Sequence, residues 1–338
     1  MPAIPISVLE LAPIPQGGDA ALAIERTVET AQHAETLGFR RVWLAEHHNM
    51  EFIASSSPAL LIGHVAGKTS RIRVGSGGIM LPNHSPLVVA EQFGTLATMY
   101  PGRIDLGLGR APGTDQLTAR VLRRDNTDTA YHFPQDVAQL QQYFSEENSL
   151  SSVRAFPAEG LEVPIWILGS STDSAYLAAK MGLPYAFAAH FAPAQFRQAI
   201  EIYRKNFTPS DALGMPYVMA CVNVVGADTD EEAEHLRSSL IRMFVGIITN
   251  QRVPLAPPGP LPEAYHIPEI KAMADKMLAC SFFGSQETLQ QNLGAFIEET
   301  GIDELMVATY IFDREKKKKS YTILREAIHQ LSSVGFDY

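Results

Sequence analysis

The stretch Leu37-Gly38-Phe39-Arg40-Arg41-Val42-Trp43-Leu44-Ala45-Glu46-His47-His48 holds a helix end, a short apolar strand and a polar strand end in direct succession. Glycine accepts the left-handed conformation that commonly ends helices, so Gly38 marks where a helix stops. The run 41–45 then reads as a buried strand, and a carboxylate with two imidazoles follows where that strand meets a loop. Histidine exchanges protons near neutral pH, and a neighbouring carboxylate can fix its tautomer. Taken alone, Glu46, His47 and His48 read either as an active-site edge or as a strand end that caps the next turn.

The same punctuation recurs at Met181-Gly182-Leu183 and Thr300-Gly301-Ile302. Short β-rich runs alternate with helical patterns along the whole chain, the sign of a parallel sheet with crossover helices. Strands are expected at 4–9, 41–45, 72–80, 104–108, 164–168, 185–188, 217–225 and 304–309. Helices are expected at 19–37, 58–69, 86–99, 134–144, 172–181, 193–207, 228–246 and 314–331. Eight such units close into an α/β fold, a (β/α)₈ TIM barrel, with its active site at the carboxyl ends of the strands. One barrel domain over residues 1–338 is expected, with insertion loops at about 111–133 and 250–283. The second carries Pro254, Pro257, Pro258, Pro260 and Pro262 and reads as a stiffened excursion before an extra helix at 285–300.

Composition narrows the function classes. Of 338 residues, 46% are hydrophobic and 19% charged, enough apolar side chain for one large core. A formal net charge of −10 argues against a nucleic-acid or anionic-membrane partner, since both need clustered Lys and Arg. The single basic run, Lys316 to Lys319, reads as the solvated start of a helix. Two cysteines, Cys221 and Cys280, make neither a disulfide scaffold nor a zinc knuckle. With neither a leader pattern nor a long apolar span, the expectation is a cytoplasmic protein.

Three further strand ends carry chemistry. Gly75-Ser76-Gly77-Gly78 within the third strand means either thin packing or a platform for something flat. Beyond it, Asn83 and His84 face a pocket or cap the next helix. Arg110 ends the fourth strand, where a guanidinium suits an anionic ligand or a surface ion pair. Gly169-Ser170-Ser171-Thr172-Asp173-Ser174 ends the fifth at a helix N-terminus, where amides and the dipole favour phosphate and where simple capping is the plainer reading. After the sixth, His190 and Phe191 line a substrate cavity or pack in the core; with them Tyr131, His132 and the proline-rich loop are candidates to shape an apolar pocket.

Taken together, Glu46-His47-His48, the run from Gly77 to Pro86, Leu106-Gly107-Leu108-Gly109-Arg110, and Gly169-Ser170-Ser171 followed by Gly182-Leu183-Pro184 resemble the bacterial luciferase-like flavin-dependent monooxygenase family. The resemblance covers nearly the whole chain and points to its single-chain subgroup. It implies a barrel that binds FMN at the strand ends, in the reduced form supplied by a separate flavin reductase, and reacts it with O₂ on a small organic substrate. It implies further that Arg110, Ser171 and Ser174 hold the flavin phosphate and that Ser170 contributes backbone. Ser76, Gly77 and Gly78 would lie under the ring, with a non-prolyl cis peptide near Ser76-Gly77. His47 would be the catalytic histidine, with Glu46 beside it and His84, His190 and Phe191 toward the substrate. A homodimer is implied as well. No dinucleotide fingerprint follows a strand, in keeping with a separate reductase. Rival readings are a deazaflavin-dependent dehydrogenase, a non-catalytic flavin-binding protein, and a metal enzyme using Glu46, His47 and His48. The last is disfavoured because adjacent strand residues point in opposite directions.

Overall fold

Neighbouring residues of one strand belong to different cores, and this places everything else. In the computed structural model, which describes residues 4–123 and 130–333, the strands are β1 (Ile6–Glu10), β2 (Arg41–Leu44), β3 (Arg73–Met80), β4 (Ile104–Gly109), β5 (Ile165–Gly169), β6 (Tyr185–Phe187), β7 (Val218–Gly226), β8 (Ser281–Gly284) and β9 (Glu304–Ala308). Val42 and Leu44 of β2 pack outward into the layer beneath the helices, while Trp43 and Ala45 join Leu9, Trp166, Met219 and Met306 inside the ring. The period of two in strand side chains divides the two layers.

Hydrogen bonds run β1 to β2 to β3 to β4 to β5 to β6 to β7 to β9 and back to β1, all parallel. This is the closed eight-stranded barrel that the alternation predicts. The helices are α1 (Ala20–Thr36), α2 (Pro58–Ala66), α3 (Pro86–Met99), α4 (Gln116–Arg123), α5 (Phe133–Phe144), α6 (Thr172–Met181), α7 (Phe196–Asn206), α8 (Asp230–Ile248), α9 (Pro268–Met277), α10 (Gln286–Thr300) and α11 (Arg314–Ser333). Gly38, Gly182 and Gly301 all have positive φ, as their places after helices require.

Differences from expectation lie in the two long connections. The stretch 111–133 contains α4, and its residues 124–129 lie outside those described. The stretch 250–283 contains α9 and most of β8, so it is only partly irregular. Pro268 at the first position of α9 is a helix-start signal that the surrounding prolines obscure. Strand β8 pairs with β7 alone, from Asn223 to Gly226, above the point where β6 stops pairing at Ala220. The non-prolyl cis peptide is at Gly77–Gly78, one residue beyond its expected place, where the β3–β4 register shifts.

Charge closes the amino-terminal end of the barrel. Arg41, 3% exposed, donates to Glu304 Oε1 at 2.8 Å and to Asp105 Oδ2 at 2.8 Å, both carboxylates being fully buried. Arg73 reaches Asp105 Oδ1 at 2.6 Å, Trp43 Nε1 donates to Asp105 at 3.1 Å, and Tyr217 Oη donates to Glu304 at 2.9 Å. The Arg41 guanidinium also lies 4.8 Å from the Trp166 ring centre. Removing one partner of such a network strands the others. Arg41→Met is expected to lower stability by about 3–5 kcal/mol, measured as the shift of the urea midpoint; a loss below about 1 kcal/mol would mean the network is dispensable.

Candidate active site

At the opposite end the strands open into a cavity of about 480 Å³, within the size range of small-molecule sites. His47 enters it because it keeps the inward parity of Arg41, Trp43 and Ala45, with its amide fixed to the Ser55 carbonyl at 2.9 Å. Glu46 has the other parity and is fully buried behind that wall. Its Oε1 accepts from His48 Nε2 at 2.7 Å and from His84 Nε2 at 2.8 Å, and its Oε2 accepts from the Met80 amide at 2.8 Å. Burial pushes this carboxyl up, but the bonds from His84, His48 and Met80 prevail and hold it below the usual carboxylate range.

Glu46 is thus spent on His48 and His84, and His47 stands without it. Burial pushes the His47 imidazole down to about 4, and its Nδ1 is buried with no protein partner. His190, 8% exposed, lines the same cavity; burial lowers it to about 3, and its Nδ1 is likewise unpartnered. Both rings are neutral near pH 7. Phe191 packs edge-on to His190 with ring centres 4.9 Å apart and also lines the cavity.

The first turn of α6 lines the same cavity. Ser171 occupies its N-cap without a side-chain capping bond, and the Thr172 amide donates to Gln195 Oε1 at 3.0 Å. Gly169, Ser170, Ser171 and Ser174 all line the cavity. A Cβ on Gly169 would sit 1.9 Å from Ser174 Oγ, so only glycine lets the loop fold this tightly over the helix. Arg110 lies beside this turn, about half exposed, with Asp173 Oδ2 3.5 Å away as a solvated partner. Exposed pairs of that kind are weak, so the guanidinium is available to an anion at the helix N-terminus.

Several candidates fall elsewhere. Ser76 is buried, clasping Gly107 by donating to its carbonyl at 2.8 Å and accepting from its amide at 3.0 Å, and it does not line the cavity. Gly78 lacks room for a Cβ because the Gly107 carbonyl lies 2.7 Å away, which makes it a packing glycine; Gly77 forms part of the cavity wall. His84 sits on the far side of Glu46 and does not reach the cavity. Tyr131 is 85% exposed, and neither it nor His132 contributes. Glu46, His48 and His84 are joined by hydrogen bonds, and among the described residues no group of three or more His, Cys, Asp or Glu is placed to hold a metal ion. No described helix is long and apolar enough to cross a membrane.

The remaining walls come from the proline-rich excursion, which the sequence reading offered as a pocket wall, and from residues of α8, α9 and the end of β9 that it did not single out. Met243, Phe244 and Ile247 of α8, Met277 of α9, Tyr310 after β9, and Arg252, Val253 and Leu255 of the excursion all line the cavity. The run Ile241 to Ile248 is apolar on nearly every side, a signal that this helix end is covered from more than one direction.

A pH prediction follows from the two imidazoles. Their folded pKa values lie below the ordinary histidine value of 6.5, so the unfolded chain takes up protons first. Their contribution is complete above pH 6.5 and is lost as pH falls toward about 4 for His47 and about 3 for His190. Thermal midpoints measured from pH 7 to 4.5 should fall more steeply for the native protein than for His47→Gln or His190→Gln; parallel curves would show the rings are not held neutral.

Comparison with known proteins shows likeness over nearly the whole chain. A family model described as luciferase-like monooxygenase matches residues 5–304. The chain is 49% identical over 322 residues to the protein YvbT of Bacillus subtilis (strain 168), covering 95% of this chain and 96% of that one. It is 44% identical over 328 residues to a luciferase-like monooxygenase of Escherichia coli (strain K12), covering 97% and 98%. Among solved structures, apo-MsnO8 shares 33% identity with a TM-score of 0.86 over 96% of this chain and 98% of that one. At 16% identity the fold alone is shared with the oxygenating constituent of 3,6-diketocamphane monooxygenase from Pseudomonas putida in complex with FMN, with a TM-score of 0.74 over 97% and 98%. The same holds, also at 16%, for an F420-dependent secondary alcohol dehydrogenase, with a TM-score of 0.68 over 97% and 99%.

Proposed function

Because the chain belongs to the luciferase-like monooxygenase family, we propose that it is an FMN-dependent monooxygenase that receives reduced FMN from a separate, transiently bound flavin reductase and acts with O₂ on a small organic substrate. The observation that carries this reading is one cavity lined both by an anion-receptive helix end and by two neutral imidazoles whose Nδ1 atoms have no partner. The reading includes a homodimeric, cytoplasmic protein without nucleic-acid, membrane or metal partners.

FMN suits this donor set. Its phosphate matches the uncapped first turn of α6 with Ser171 and Ser174, the Ser170 backbone and the Arg110 guanidinium. The tight Gly169 turn keeps that cradle free of a side chain that would fill it. A flat ring has the side-chain-free backbone at Gly77 as its wall. Reduced flavin, when bound, supplies the two electrons that oxygen activation requires.

The protein's own contribution is orientation, dryness and proton placement. His47 stays neutral at working pH, so its ring carries one N–H and one lone pair, able to donate a hydrogen bond through one nitrogen and to accept a proton on the other at the cavity face. Glu46 does not contact the reacting region in this reading; it fixes the loop ends that bear His47 by tying β2 to β3 and His84. Met243, Phe244 and Met277 exclude water from the same face.

Titration with FMN, followed by flavin fluorescence, should saturate, and Arg110→Ala should weaken binding by about tenfold, or about 1.4 kcal/mol. His47→Ala should leave FMN affinity within about twofold yet change the rate at which photoreduced FMN reoxidises in air on the protein. No spectral change with FMN at high protein concentration, or tighter binding of a deazaflavin, would overturn the cofactor assignment. An His47→Ala protein indistinguishable from the parent would point to flavin sequestration.

A further inference from the structure

The cavity has a second cationic feature that FMN phosphate binding does not use. Arg252 stands on a short span whose backbone is pinned at both ends: the Gln251 amide donates to the Gly246 carbonyl at 2.8 Å, and Leu255 exchanges bonds with Ile14 and Gln16 at 3.0 and 2.8 Å. The side chain between those anchors is exposed at the cavity, and no hydrogen bond or ion pair among the described residues holds it. Arg103 and Arg154, also on connections, are tied down: Arg103 binds the Ile72 and Thr69 carbonyls and Arg154 pairs with Glu159. Of the two other charged side chains on the cavity, Arg110 belongs to the α6 end, and Glu51 makes no ion pair with Arg252.

Arg252 lines the same cavity as His47 and His190, and its charge is felt at His47. His190 adds a buried Nδ1 with no partner, a polar group that costs free energy for as long as nothing meets it. Met243, Phe244 and Ile247 of α8 and Met277 of α9 give the same cavity apolar walls. A fork-shaped cation, an imidazole and an apolar wall thus share one cavity. A guanidinium in such surroundings matches a carboxylate or sulfonate, which can take two N–H bonds at once.

We propose that the substrate is an amphiphile with one anionic head of the carboxylate or sulfonate class, received by Arg252 with His190, its apolar chain lying along α8. The proposal rests on the flavin-site reading for the chemistry that follows, but not for binding. A neutral alcohol or aldehyde would leave the Arg252 charge without a counter-ion and offer it no bidentate partner.

The test is isothermal titration calorimetry of the full chain, with and without FMN, using octanoate, 1-octanesulfonate and 1-octanol as probes. At least one anion should bind about tenfold tighter than 1-octanol, and which one does identifies the head group. Arg252→Gln should abolish the preference and Arg252→Lys retain part of it, while FMN affinity measured by fluorescence stays within about twofold of the native value. Equal affinity for anion and alcohol, no binding of any probe, or a preference that survives Arg252→Gln overturns the proposal. Failure of FMN to bind overturns the functional reading instead, and the anion preference of the unloaded protein is still decided by the same titrations.

Discussion

The buried pairing of Arg41 with Asp105 and Glu304 is the constraint on which the barrel depends. Three strands, β2, β4 and β9, each place one charge in a space without water, and none of those charges is tolerable without the others. Above them Trp43 and Trp166 meet edge to face with ring centres 5.2 Å apart, and Trp166 meets Tyr217 in the same way. Charges at the floor and large rings in the middle leave only the carboxyl ends of the strands open. The cavity lies where the filling stops.

A second carboxylate divides the histidines at that open end. By accepting from His48, His84 and the Met80 amide, Glu46 ties the ends of β2 and β3 together and leaves His47 facing the cavity without a carboxylate on its ring. Burial therefore dominates at the His47 ring, and the Glu46 charge, which makes no hydrogen bond to it, raises its proton affinity only in part. The same residues form a rigid support on one side of the chain and a tunable edge on the other.

Much of the fold was legible because strand and helix periods differ, and because Gly38, Gly182 and Gly301 mark helix ends where no other residue is at ease. The strand ends at His47, Arg110, Gly169 and His190 were legible because a barrel exposes only those positions to one shared space. What could not be read depends on partners far apart in sequence. Arg41 and Glu304 are 263 residues apart, so nothing near Arg41 announces its role. Glu46 looked like the partner of His47 by adjacency, yet strand parity sends the two side chains to opposite sides. Ser76 looked like part of a ligand platform, but its hydroxyl serves the neighbouring strand. Strand β8 is four residues long and Arg252 sits among prolines, so neither carries a periodic signal.

The pairing of β8 has a consequence for how this protein diversifies. It hangs on β7 through residues 223–226 only, outside the ring that β6, β7 and β9 close. The excursion that ends in β8 supplies Arg252, Val253, Leu255 and Met277, whereas the ring and α6 supply the 169–174 turn and the imidazoles. Insertions, deletions or exchange of that segment leave every barrel hydrogen bond in place. On the proposed reading, the reactive groups and the residues that select among substrates sit on separable parts of the chain, so that new compounds can come within reach of one chemistry through changes to one side strand and its approach.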